Sequence, residues 1–155
     1  MDSPEPRLAE PDELAHTARM LVAFNTEYDE PSPDPDWWAD HLARLVDGGD
    51  TRVFLIGRPA VGLALFRLRT STWAAYLEAY LAEMYVEPGR RGQGLGTRLL
   101  THALEELRAE GVGYVDLGTT TADESAIALY EKLGFDCHEG RGPDGPLAIY
   151  YEKEL

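Results

Sequence analysis

The sequence predicts an α/β (α+β) domain on three observations. Three β-rich runs follow one another between residues 51 and 86, helical patterns precede and follow them, and a basic, glycine-rich turn joins the last run to an amphipathic helix. The element order that results is α, α, β, β, β, α, β, α, β, β. At 155 residues the chain has the length of one domain around one core.

Residues 1–11 hold three prolines and read as a flexible N-terminal arm, with the domain proper at 12–155. From Asp12, a suitable N-cap, residues Leu14, Ala15, Ala18, Leu21, Val22 and Phe24 recur at three- and four-residue spacing and predict the first helix. The stretch 25–35 gathers Asn25, Glu27, Tyr28, Asp29 and Glu30 with three prolines. It reads as an acidic loop, either a solvated connector or a cover over a site. Asp36 opens a second helix through Trp37, Trp38, His41, Leu42 and Leu45 that closes at Gly48-Gly49.

Runs at 51–56 and 61–69 around the turn Gly57-Arg58-Pro59-Ala60 predict a hairpin, and 76–86 reads as a central strand buried on both faces. Leu95, Leu99, Leu100, Ala103, Leu104 and Leu107 form the stripe of a helix that ends near Gly111. A strand at 112–117 and a helix from Asp123 to Lys132, stopped by Gly134, come next. Two short strands, the last at 147–152, are expected around the turn-rich stretch 139–146.

Net charge is −14, and residues 1–50 carry thirteen acidic against three basic residues. So acidic a surface repels nucleic acid and anionic membranes, so neither is expected as a partner. No apolar run approaches the roughly 20 residues of a membrane span, and residues 1–6 lack the basic start and apolar stretch of a signal peptide. The expected location is the cytoplasm. Cys137 is the single cysteine, and His16, His41, His102 and His138 show no metal-ligand spacing, so no metal is expected.

The turn Glu87-Pro88-Gly89-Arg90-Arg91-Gly92-Gln93-Gly94-Leu95-Gly96-Thr97 reads as an anion cradle. Its glycines admit a ligand close to the backbone, the first turn of the following helix offers unpaired N–H groups, and the arginines add charge. A mononucleotide P-loop is excluded because no lysine lies here, Lys132 and Lys153 being the only two. A dinucleotide loop would need Gly-x-Gly-x-x-Gly, which the segment breaks at its last position, although Asp116 stands where a ribose-binding acid belongs. The three β runs ahead of the loop also give the wrong plan for a doubly wound fold.

Arg91-Gly92-Gln93-Gly94-Leu95-Gly96 matches Arg/Gln-x-x-Gly-x-Gly/Ala, and here the chain resembles the GNAT superfamily of acetyl-CoA-dependent N-acetyltransferases. The resemblance covers the element order from Asp12 onward. It is strongest at residues 85–96 and 126–135, the latter reading Ala-Ile-Ala-Leu-Tyr-Glu-Lys-Leu-Gly-Phe. It implies a mixed central sheet with a splay between two parallel strands, flanked by helices. It also implies acetyl-CoA as cosubstrate: Met84, Tyr85 and Val86 take the pantetheine arm by strand addition, and the N–H groups of Gln93, Gly94, Leu95, Gly96 and Thr97 take the pyrophosphate beside Arg91 and Gly92.

Direct transfer to an amine is the activity implied, with Tyr130 matching the family's acid and Glu83 a position where members place a carboxylate. An alkylamine has a pKa of about 10.4, so a base is needed at neutral pH. Glu78, Glu27 and Asp29 compete with Glu83 for that role. Where family members commonly carry Asn on the cofactor arm, this chain has Asp123, which can cap the helix but cannot donate an amide N–H. Asn25, Glu27, Tyr28 and Asp29 are the expected acceptor wall, suited to a small cationic amine. The outward member of the Trp37–Trp38 pair, with the dimerisation common in the family, implies a homodimer. Two alternatives stay open: a non-catalytic acyl-CoA sensor, and a protein or peptide N-acetyltransferase.

Overall fold

A computed structural model of the chain describes residues 4–140 and 142–155. They fall into two compact units, one up to Leu117 and one from Gly118 to Leu155.

In the first unit a five-stranded sheet runs in the order β1 (Pro6–Leu8), β2 (Thr51–Ile56), β3 (Gly62–Thr70), β4 (Leu77–Val86), β5 (Val112–Leu117). The first four strands pair antiparallel and β4 pairs parallel with β5. The mixed sheet expected from the resemblance is therefore present. Strand β1 is a correction, because its residues read as an unstructured arm; Pro6 opens an edge strand, the one place in a sheet where its missing N–H costs nothing. Ala9 N–H to Val53 O at 2.8 Å extends the pairing, and residues 1–3 lie outside the described chain.

Helices α1 (Leu14–Glu27) and α2 (Pro35–Asp47) cover one face, where Leu14, Ala18, Leu21 and Leu42 pack with Val53, Leu55, Leu63, Leu65 and Tyr85. On the other face α3 (Leu95–Ala109) buries Leu95, Leu99, Leu100, Ala103 and Leu107, and Phe54 meets Phe66 and His102 of that helix edge to face. Alternation along β2 and β3 sorts odd residues to the α1/α2 face and even ones to the α3 face. Helix α1 runs further than its sequence suggests, taking in Asn25, Thr26 and Glu27, while Pro35 sits at the first position of α2. There its lack of an N–H is harmless, and Asp34 caps the helix by accepting Trp37 N–H at 2.9 Å. The acidic loop thus shrinks to residues 28–34.

Strand β4 carries the feature on which the site depends. Leu81 pairs with Phe66 and Glu83 with Leu65, leaving Ala82 as an extra residue, a β-bulge. In a regular strand Leu81 and Glu83 would share a face. The bulge instead keeps Leu81 with Phe66 and turns Glu83 and Tyr85 toward the α1/α2 face with Leu65 and Leu63. Pairing with β5 stops at Leu81–Leu117, so from Ala82 to Val86 the outer edge of β4 has no strand partner among the described residues.

The second unit contains α4 (Glu124–Lys132), capped by Asp123, whose Oδ1 accepts Ala126 N–H at 3.1 Å. The two final strands expected from sequence do not form. One isolated bridge, His138 with Leu147, is flanked by Glu139 N–H to Pro146 O and Ala148 N–H to Cys137 O, both 2.8 Å. Pro146 offers no N–H to a ladder, and the β-forming residues Ile149 to Tyr151 are exposed and lie in no strand among the described residues.

Candidate active site

The cradle is built where β4 leaves the sheet. Glu87 N–H bonds Val61 O at 2.8 Å, a single 3-10 turn spans Pro88–Arg90, and α3 starts at Leu95 with Gly94 as its N-cap. Gly92 and Gly94 both have φ of +78°, a left-handed conformation that strains L side chains, and a Cβ on either would meet nothing within 4 Å. The space above this backbone is thus open to a ligand. Arg98 N–H reaches back to Gly94 O at 3.1 Å, so the N–H groups of the first turn have no carbonyl of their own helix and point outward at the positive end of its dipole. Gly96 differs from expectation: it lies within α3, where ordinary helical backbone serves any residue. These groups fit a pyrophosphate.

Arg91 is held from three sides. Its Nε–H donates to Val86 O at 2.8 Å, its two terminal nitrogens form a fork with Glu27 at 2.6 and 2.7 Å, and the guanidinium lies 5.8 Å from the centre of the Tyr85 ring. Glu27, expected on the acceptor side, is therefore tied directly to the cradle. That bond lowers the Glu27 carboxyl below its ordinary pKa and raises Arg91. Tyr85 stacks on Phe24, which also meets Tyr28, so its ring belongs to the core. Only its backbone is free to play the cofactor role assigned from sequence.

Glu83 makes no hydrogen bond or ion pair among the described residues, and burial alone pushes its carboxyl above the ordinary value. Its rivals are placed differently. Glu78 bonds Arg69 at 2.8 Å, Glu27 is held by Arg91, and Asp29 is exposed at the left-handed turn that ends α1. Asp116, where a dinucleotide site would keep its ribose ligand, is bound to Arg69 at 3.3 Å. Of the four candidates, Glu83 is the one that burial raises and no ion pair among the described residues holds.

In the second unit, the Tyr130 ring packs against Phe135 at 5.8 Å. Burial, with the charge of Asp123 behind it, pushes the phenol up to about 12. Asp136, Cys137 and His138 bring three ligand-type atoms within 4.8 Å, but they are consecutive residues, two of them exposed, and Asp136 already bonds His138 at 2.7 Å.

A model of the acetyltransferase (GNAT) family matches residues 16–135. An IAA acetyltransferase of Azospirillum brasilense is 33% identical over 108 residues, 68% of this chain and 69% of that protein. The ribosomal protein bS18-alanine N-acetyltransferase of Escherichia coli strain K12 is 44% identical over 59 residues, but these cover only 38% of this chain and 40% of the enzyme. A crystal structure from Arthrobacter sp. FB24, assigned as an acetyltransferase, superposes with a TM-score of 0.85 at 36% identity over 99% of this chain and 97% of its own.

Proposed function

The chain belongs to the acetyltransferase (GNAT) family, and we propose that it transfers the acetyl group of acetyl-CoA directly to the primary amine of a small cationic acceptor. The observation that carries this reading is Glu83, an unpaired and partly buried carboxylate on the stretch of β4 whose outer edge lacks a strand. The free edge offers backbone groups to the pantetheine arm as an added strand would, and the cradle supplies N–H groups and Arg91 for the pyrophosphate. Bound acetyl-CoA supplies the activated thioester.

Glu83 takes a proton from the acceptor ammonium, directly or through one water, and the neutral nitrogen then bonds the carbonyl carbon as the carbon–sulfur bond breaks, its second proton passing to solvent as the amide forms. Tyr130 is the phenol assigned to the departing sulfur. A phenol pushed up to about 12 stays protonated at neutral pH, whereas a thiol has a pKa of about 8.5. Full proton transfer to the thiolate is therefore uphill. Tyr130 stabilises the sulfur by donating a hydrogen bond, and the thiolate takes its proton from solvent. Asp123 is committed to its cap and has only acceptor oxygens to offer the cofactor arm. Asn25, Glu27, Tyr28 and Asp29 form the acidic acceptor side.

A single catalytic domain that includes edge strand β1 with residues 12–155, cytoplasmic and homodimeric, completes the proposal. Trp37, 45% exposed and stacked on His41, is a surface aromatic that suits a partner, and no helix among the described residues is long and apolar enough to cross a membrane. A second reading, acetylation of a peptide N-terminus, is favoured by the matched segment of the bS18 enzyme. The test is CoA release with polyamines, aminoglycosides, amino-acid derivatives and an alanine-initial peptide, by wild type and Glu83→Gln. Turnover confined to the peptide selects the second reading; acetyl-CoA binding with no turnover on any acceptor selects a sensor module.

A further inference from the structure

Arginine recognises a phosphate bidentately through one of two N–H forks, the pair at its end or the pair formed by Nε and a terminal nitrogen. In Arg91 both are taken. Glu27 fills the end fork with bonds of 2.6 and 2.7 Å, and the Nε–H of the side fork is given to Val86 O at 2.8 Å. The N–H groups left over do not form a parallel pair. A pyrophosphate arriving at the open cradle therefore cannot take Arg91 through a parallel pair of N–H groups while Glu27 holds it. Both side chains are partly exposed, 43% for Arg91 and 29% for Glu27, so solvent screening keeps the pair exchangeable.

Glu27 is also the last residue of α1, immediately ahead of the 28–34 loop. Its bond spans from the acceptor side of the unit to the cradle.

We propose that Glu27 is a resident counter-ion of Arg91 that the pyrophosphate displaces, so that cofactor binding frees the end of α1 and delivers a carboxylate to the acceptor side. This rests on the acetyl-CoA reading above. Glu27 is then a positioning residue: in the free enzyme it neutralises the cradle, and in the loaded enzyme its charge becomes available to a cationic amine.

Calorimetric titration of CoA into wild type, Glu27→Gln, Arg91→Gln and the double variant tests the competition. Removing the competing charge is expected to tighten CoA about two- to fivefold, the range that the worth of an exposed ion pair allows. Arg91→Gln alone weakens CoA, and adding Glu27→Gln to it changes nothing further. CoA binding that is unchanged or weaker in Glu27→Gln would overturn the proposal in favour of an anchor that merely holds Arg91 in place, as would a gain that persists without Arg91. Glu27→Asp, one methylene shorter, opens the fork while keeping the charge and gives the same direction should the glutamine variant not fold. If wild type itself takes up no CoA, the cofactor reading has failed first and the counter-ion role falls with it.

Discussion

Replacing Glu83 by Gln keeps the size of the side chain and removes its ability to take a proton. At pH 7.4 only about one alkylamine molecule in a thousand is neutral, and a positioned base is worth about a hundred- to ten-thousandfold. Glu83→Gln should therefore lower kcat/KM about a hundred- to a thousandfold near neutral pH, which is about 3 to 4 kcal/mol of lost transition-state stabilisation. The KM for acetyl-CoA should stay within about twofold, because the cradle is untouched.

The deficit should shrink as pH rises, since each unit makes about ten times more neutral amine and the base becomes dispensable. Stability should move the other way. The folded-state pKa of Glu83 is raised by burial, so its contribution to stability is present below the unfolded carboxylate value and is lost as pH rises through the folded one. Glu83→Gln escapes that loss. Its melting temperature should match wild type in acid and exceed it at pH 7. Steady-state kinetics from pH 6 to 10, with calorimetric melting of both proteins, supplies the comparison. A variant retaining a third or more of wild-type activity at pH 7, or losing it through the acetyl-CoA KM alone, would refute the argument from the bulge and its unpaired carboxylate.

Three further outcomes follow from other parts of the molecule. Tyr130→Phe should lower kcat about ten- to a hundredfold by removing one donor to developing charge, and the wild-type profile should show no phenol titration below pH 10, because the group is pushed up to about 12. Gly94→Ala should cost about 1–2 kcal/mol in a urea melt, since it forces a side chain to adopt φ of +78° although nothing crowds it. In contrast to Glu83, Glu13 and Glu27 have folded pKa values lowered by Arg7 and Arg91. Their contributions are present above the unfolded value and lost as pH falls through the folded one, so the acid limb of the stability curve should flatten in Arg7→Gln, as read by melting between pH 5 and 2.

The parts of this architecture written in periodicity were legible from the chain. The stripe Leu95 to Leu107, the 51–56 and 62–70 hairpin and the Asp123-capped helix fall where spacing and caps put them, because each depends on residues a few positions apart. The glycine-rich turn before α3 was legible for the same reason. What was not legible depends on pairing between distant segments. Ala82 is an unremarkable residue whose extra position becomes visible only against the β3 register, yet it decides which way Glu83 faces. The Glu27–Arg91 fork joins residues 64 apart, and its one sequence trace was an acid-rich stretch beside an arginine-bearing cradle. Strands expected at the C-terminus failed for the converse reason. Ile149, Tyr150 and Tyr151 have β propensity, but a strand exists only where another pairs with it, and the pairing here stops at the single His138–Leu147 bridge.

The central claim is direct acetyl transfer to a small cationic amine, and CoA release measured together with N-acetyl product across a panel of such amines tests it most directly. The account predicts one CoA released per amine acetylated, with the acetyl group never found on the protein and the rate falling steeply in Glu83→Gln. Acetyl-CoA bound but not turned over by any amine, or an acetylated protein that forms at the rate of turnover, would contradict it.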